Sequence, residues 1–433
     1  MDDTRLVRAI GVRSLTANIV NVTIGAGIFV LPAVAAGTLG RAAPLAYLVC
    51  SILMALIVTC FAAAGSRVAL TGGLYAYIEV AFGPFVGFLA GVLYWLMASF
   101  AVASVASAFA GAIGAVWQPV ATPGPRAILL AATFAGLAVI NVRGVVAGAR
   151  LIQSVTAAKL LPLALLVAVG IWRVDSQAWR WAPLPDLTAI GRTAIIVIYA
   201  FAGIEIALVP SGEVRDPPRT VPRAVFAALA ITTAIYLLIQ CVAQGLLGAS
   251  LTTYGAAPLA EAASRVLGTG GRVLVLAGAI VSMFGYLSGD MLGSPRALYA
   301  FGRDGVLSNV LARVHPRFHT PYVAIILYGC LVTALAISSS FRELAILANV
   351  SALTLYLTSV AAAYELQRRD VRAGGRPFVL RGGPIIPSLA ALVIVWLLSN
   401  ATRREFSVEA LVLACASVFY FIRQTAAVPS RAA

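Results

Sequence analysis

The sequence predicts an all-α integral membrane protein of twelve transmembrane helices in two inverted halves, with helices 1 and 6 discontinuous. Three observations lead there. The 433 residues are 61% hydrophobic and only 11% charged, against about half and about a quarter in a soluble domain. The apolar residues gather into unbroken stretches of the ~20 residues that cross ~30 Å of hydrocarbon as helix. Two of these stretches, five spans apart, are interrupted by glycine at corresponding places. Lipid offers unpaired backbone groups no water, so a span is a helix or a strand of a closed barrel. These stretches lack the alternation of barrel strands.

The spans lie near residues 15–38, 43–65, 84–115, 126–142 and 150–172, a first half (15–172) that follows a cytoplasmic N-terminus of residues 1–14. A second half (190–366) holds those near 190–211, 222–248, 271–301, 321–339 and 343–366. The linker 367–383, with Arg368, Arg369, Gly374, Gly375 and Pro377, is the clearest boundary. Beyond it, 384–400 and 407–423 read as peripheral helices 11 and 12, and 424–433 as a cytoplasmic tail. The polar start gives way to more apolar residues than a signal peptide needs, so no cleaved leader is expected.

The net charge of +15 does not form a nucleic-acid-binding stripe. Arginines fall in alternate loops and termini, twenty in one set and ten in the other. The positive-inside rule places the richer set, with both termini, in the cytoplasm, as expected of a protein of a prokaryotic inner membrane. Cys50, Cys60, Cys241, Cys330 and Cys415 all lie in apolar spans, with neither metal-ligand spacing nor a disulfide framework. No His-Glu-x-x-His, Gly-x-Ser-x-Gly or phosphate-binding loop occurs, and no histidine falls in a span. That argues against an enzyme, and no metal or cofactor is expected. No repeated filter sequence or ring of like charges favours a channel.

The first interrupted span contains TIGAGIFVLP (23–32) and the sixth YAFAGIEIALVP (199–210). An odd offset brings the second half into the membrane from the opposite side. Interrupted helices in matching positions of inverted halves mark a transporter's binding site. Glycines also serve close helix packing, but two breaks at this offset favour the site. Unwinding frees backbone groups that must line a cavity or find partners. At the start of a half-helix the N–H groups of Gly25, Ala26 and Gly27 suit a carboxylate. The carbonyls of Thr23 in the first span and of Tyr199, Ala200 and Ala202 in the sixth suit an ammonium. The candidate residues are therefore Thr23, Ile24, Gly25, Ala26 and Gly27 with Tyr199, Ala200, Phe201 and Ala202. The expected ligand is an amino acid, read through its zwitterionic backbone.

The motifs continue with TGGLYAYIEVAFGPFVGFLAGVLYW (71–95), FAGIE (201–205), SGEVRDPPRTVPRA (211–224), SPRALYAFGRDG (294–305) and VHPRFHTPYVA (314–324). In this order they resemble the amino acid–polyamine–organocation (APC) superfamily of permeases, over residues 14–423. The resemblance implies the LeuT-type fold, a five-plus-five inverted repeat working by alternating access. It also implies that the glycine loop of helix 1 and the unwound carbonyls of helix 6 hold the ligand backbone. Ser308 departs from the pattern, where many members carry proline. In sodium-coupled relatives a sodium ion ties helix 1 to helix 8, and in many sodium-independent members a lysine of helix 5 takes its place. Lys159, the only lysine present, matches that position in AAKLLPL. The Asn21 carbonyl and Ser282 are its implied partners. Releasing and regaining a proton there, and simply joining two helices, are both open to it.

Other intramembrane charges carry two readings each. Glu205 opens a half-helix, where an acid suits the dipole and caps free N–H groups; contact with substrate or a proton is the second reading. Asp290, deep in the eighth span, is a functional candidate by default, either passing a proton from Lys159 or pairing with Arg296 or a loop arginine. His315 and His319, with Pro316 between, read as loop-ordering. Glu213 and Asp216, among Arg215, Arg219 and Arg223, read as a cytoplasmic salt-bridge cluster. The expected function is sodium-independent secondary transport of amino acids, with proton coupling left open. Neutral substrates are favoured because no certain acid faces the small break residues; membrane lipid is the surrounding solvent. The alternatives are exchange of basic amino acids or polyamines, which needs Glu205 or Asp290 in the pocket, and a non-transporting sensor or accessory subunit.

Overall fold

A computed structural model describes residues 10–68, 73–143, 160–174, 184–205, 208, 214–303, 307–372, 376–380 and 382–426. The helices are α1 (Val12–Thr23), α2 (Gly27–Leu39), α3 (Ala43–Gly65), α4 (Leu74–Phe82), α5 (Pro84–Gly114), α6 (Pro123–Arg143), α7 (Leu160–Arg173), α8 (Leu187–Val197) and α9 (Pro217–Leu247). They continue as α10 (Pro258–Gly293), α11 (Pro295–Arg303), α12 (Tyr322–Ser338), α13 (Phe341–Arg368), α14 (Ile385–Leu398) and α15 (Arg403–Ala426). Among the described residues the only extended pairing is an isolated bridge between Ile10 and Val214.

Seven stretches are long and apolar enough to cross a membrane, and four shorter apolar helices accompany them among the described residues. The protein is thus all-helical and multi-pass. Three helix ends differ from the sequence reading. α9 starts at Pro217 rather than near 222, because Pro217 and Pro218 have no N–H and sit where a helix start has none to satisfy. The eighth apolar stretch lies within a longer α10, kinked at Gly268, whose φ of 66° is open to glycine at little cost. The short α4 falls outside the expected spans; Gly83, at φ 89°, ends it and Pro84 begins α5.

With lipid as solvent, helices are held by close packing and internal hydrogen bonds rather than by apolar burial. α5 runs along α13, and both bury alanine and serine. Hydroxyls in the spans return to their own helix: Ser51 donates to the Tyr47 carbonyl at 2.7 Å and Ser99 to that of Trp95 at 2.8 Å. α13 is mostly buried and α15 mostly exposed, so α13 is central and α15 peripheral. The described part of 367–383 docks on the end of α3. Arg67 Nη1 donates to the Val371 carbonyl at 3.1 Å and lies 3.7 Å from Asp370, and the Phe378 N–H donates to Ser66 Oγ at 3.0 Å.

Candidate functional site

The first helix breaks between α1 and α2. Ile24, at φ −75° and ψ 75°, leaves helical geometry, and α2 restarts at Gly27. Within the break the Gly25 N–H turns back to the Thr23 carbonyl at 2.8 Å. The N–H groups of Ala26 and Gly27 open α2 with no preceding turn to accept them, and among the described residues neither has an acceptor.

The sixth helix breaks after α8. A 3-10 turn over Ile198–Phe201 ends at Ala202, whose ψ of 143° is extended, and Gly203 follows at φ 114°. A Cβ on Gly203 would stand 3.2 Å from both the carbonyl carbon and the carbonyl oxygen of Val22. The last turn of α1 therefore packs closely on the second break, where the close approach and the positive φ favour glycine. Glu205 stitches the second break: Oε1 accepts from the Gly203 N–H at 2.9 Å and Oε2 from the Tyr356 hydroxyl of α13 at 2.7 Å.

Two tyrosines join the breaks to the bundle. Tyr236 of α9 points its hydroxyl at the Thr23 carbonyl, 2.8 Å away, and at the Ala200 carbonyl, 2.7 Å away. It has one hydrogen for both. The Tyr199 hydroxyl lies 2.5 Å from Ser104 Oγ and 3.2 Å from the Ala101 carbonyl, both on α5.

These elements enclose a cleft with about 480 Å³ of empty space, including its open mouth. Of the residues expected from sequence, Thr23, Gly25, Ala26, Gly27, Tyr199, Ala202 and Glu205 line it. Ile24, Ala200 and Phe201 do not; they are buried behind it, Phe201 edge-on to Tyr236. Asn21 is also outside the lining, and Ser282 is buried on α10, one turn before the lining residue Tyr286. Lys159 and Glu213 lie outside the described residues. Asp290 is held by Tyr328, whose hydroxyl donates at 2.6 Å, and by Ser294 at 2.7 Å. No ion pair joins it to Arg296 among the described residues. His315 orders its loop as expected, Nδ1 accepting from the N–H groups of Arg317 and Phe318 at 3.2 and 3.3 Å.

Sequence reasoning missed Tyr236, Tyr356, Tyr286 and the wall formed by Met97 and Ala101 of α5. For Tyr236 a signal existed. Tyr236, Gln240 and Gln244 recur every four residues, a polar seam along one face of an otherwise apolar helix. The seam faces α2: Gln240 reaches towards the Pro32 carbonyl and Gln244 Nε2 donates to that of Gly40 at 2.9 Å.

Known proteins share this sequence over most of its length. The amino acid permease family matches residues 10–403. The serine/threonine exchanger SteT of Bacillus subtilis is 28% identical over 397 residues, 90% of each protein. An uncharacterized transporter of Mycobacterium tuberculosis is 32% identical over 381 residues, 87% of this protein and 82% of the relative. The branched-chain amino acid permease BcaP of Bacillus subtilis is 25% identical over 422 residues, 91% of this protein and 88% of the relative.

Proposed function

The chain belongs to the amino acid permease family, and from that premise we propose that it is a sodium-independent secondary transporter of neutral amino acids. The observation that carries this is the pair of helix breaks facing one cleft. The open N–H groups of Ala26 and Gly27 supply donors for a carboxylate. The Ala202 carbonyl supplies an acceptor for an ammonium. Ala202 and Ala101 leave space for a side chain. Glu205 has both oxygens engaged by Gly203 and Tyr356, so a cationic substituent meets no uncommitted carboxylate among the described lining residues.

The breaks sit in the first and sixth of the expected spans, which supports twelve helices in a five-plus-five inverted repeat, and the arginine-rich set of loops supports cytoplasmic termini. Two inverted halves that share a central site work by alternating access. Sodium independence rests on the resemblance, which implies that Lys159 takes the place of a coupling ion. Exchange of basic amino acids or polyamines is a second reading, favoured by Glu205 lining the cleft. It requires Glu205 to exchange Tyr356 for the substrate.

Uptake of radiolabelled amino acids and polyamines into proteoliposomes, with and without sodium at acidic and neutral pH, tests the reading. The expected result is saturable uptake of neutral amino acids that ignores sodium. A strict sodium requirement, or full activity in Lys159→Ala, refutes the role of the lysine. A preference for arginine or putrescine selects the second reading. No uptake of any probe leaves a sensor or accessory subunit.

A further inference from the structure

Every fourth residue of α10 from 282 to 294 is polar: Ser282, Tyr286, Asp290 and Ser294. At 1.5 Å rise per residue these positions form a single stripe about 18 Å long. Its middle opens on the cleft at Tyr286. Its far end is Ser294, which caps α10 where the backbone turns into α11. Asp290 stands between them, part-buried, with Tyr328 on Oδ2 and Ser294 on Oδ1.

An acid that only fastened α10 to α12 needs no polar residues on either side of it. Here one neighbour reaches the cleft and the other the helix end. Among the described residues, the titratable groups within electrostatic reach of Asp290 are Tyr94 from α5, Tyr199 from the second break, Tyr286 on its own helix and Tyr328 from α12. No described basic group forms an ion pair with it.

We infer that transport is coupled to a proton and that Asp290 is the group that carries it, along the Tyr286–Asp290–Ser294 stripe from the cleft to the α10–α11 junction. This rests on the transport reading above. In each cycle one carboxylate oxygen takes a proton that enters from the cleft on the Tyr286 side, and it gives that proton up to water at the junction on the Ser294 side. While ionised, Asp290 accepts from both hydroxyls. Once protonated it has a hydrogen to donate, and Ser294 turns from donor to acceptor. The proton thereby changes the fastening of the α10 end as well as the charge beside the cleft.

The test uses the purified full-length protein in proteoliposomes, with radiolabelled L-serine, L-alanine and L-leucine as probes. Two quantities are compared: exchange against preloaded substrate at equal pH, and accumulation driven by an inward proton gradient. The wild type is expected to show both. In Asp290→Asn the ratio of accumulation to exchange should fall to its value without a gradient, and Asp290→Glu should restore part of it. Tyr328→Phe keeps the carboxylate but removes one donor, so it should displace the pH midpoint of accumulation. This arm decides the matter if Asp290→Asn does not fold. Gradient-driven accumulation by Asp290→Asn equal to wild type overturns the inference. So does an unmoved midpoint in Tyr328→Phe, or a wild type that exchanges but ignores the gradient. Absence of wild-type exchange for every probe overturns the transport reading itself.

Discussion

Tyr236 holds a carbonyl from each break with a single hydroxyl, at 2.8 Å from Thr23 and 2.7 Å from Ala200. Tyr236→Phe keeps the ring edge-on to Phe201 and Tyr47 and removes only the hydroxyl. A neutral hydrogen bond contributes about 0.5–1.5 kcal/mol to stability, so Tm should fall modestly, and KM for uptake should rise as the two breaks loosen. An unchanged KM would show that the hydroxyl is not part of the binding geometry. Gly203 makes the opposite case. A methyl there meets Val22 at 3.1 Å and the backbone sits at φ 114°, so Gly203→Ala should cost about 1–3 kcal/mol in strain. Early melting in detergent and loss of uptake are the expected readouts. Gly25→Ala is its control. The nearest atom to that Cβ is 3.9 Å away, so the variant should melt normally while its methyl narrows the cleft and weakens uptake.

α13 shows how an element carries a local signal into the site. Ser340 caps it: the Glu343 N–H donates to Ser340 Oγ at 3.3 Å and the Ser340 N–H to Glu343 Oε2 at 2.9 Å. Phe341, the next residue, meets Tyr199 edge-on at 5.8 Å. Ser340→Ala should therefore lower stability by about 1 kcal/mol, read as a lower Tm, and should loosen substrate binding through Tyr199. The breaks themselves were legible because glycine inside an apolar run has few other reasons to recur at matched positions. Ser340 and Glu343 likewise show the spacing of a capping box. The partners of the breaks were only partly legible. Tyr236 and Tyr356 sit in apolar spans 36 and 151 residues from the groups they bind. The polar seam with Gln240 and Gln244 marks Tyr236, but nothing local distinguishes Tyr356 from a tyrosine that faces a membrane interface. Gly268 misled for a related reason: a glycine between two helical patterns reads equally well as a boundary or a kink.

At the scale of the whole molecule, the segment after α13 fastens over the end of α3. Arg67 is 3% exposed, while its ion-pair partner Asp370 is 59% exposed. The bond to the Val371 carbonyl thus matters more than the screened charge pair. A hydrogen bond from a charged donor contributes about 1.5–3 kcal/mol, so Arg67→Ala should release the strap and speed protease cleavage within 369–380. Unaltered cleavage would show that Ser66 and Phe378 hold it alone.

The backbone contact between Val22 and Gly203 also bears on how the molecule can move. Two segments separated by less than a methyl group cannot slide or part independently. Whatever turns one must turn the other, as meshed teeth do. Spin labels on α1 and α8 should keep one separation through the whole work cycle, while the distance from either to α5 changes. A broadened α1–α8 distance on adding substrate would mean that the two segments disengage.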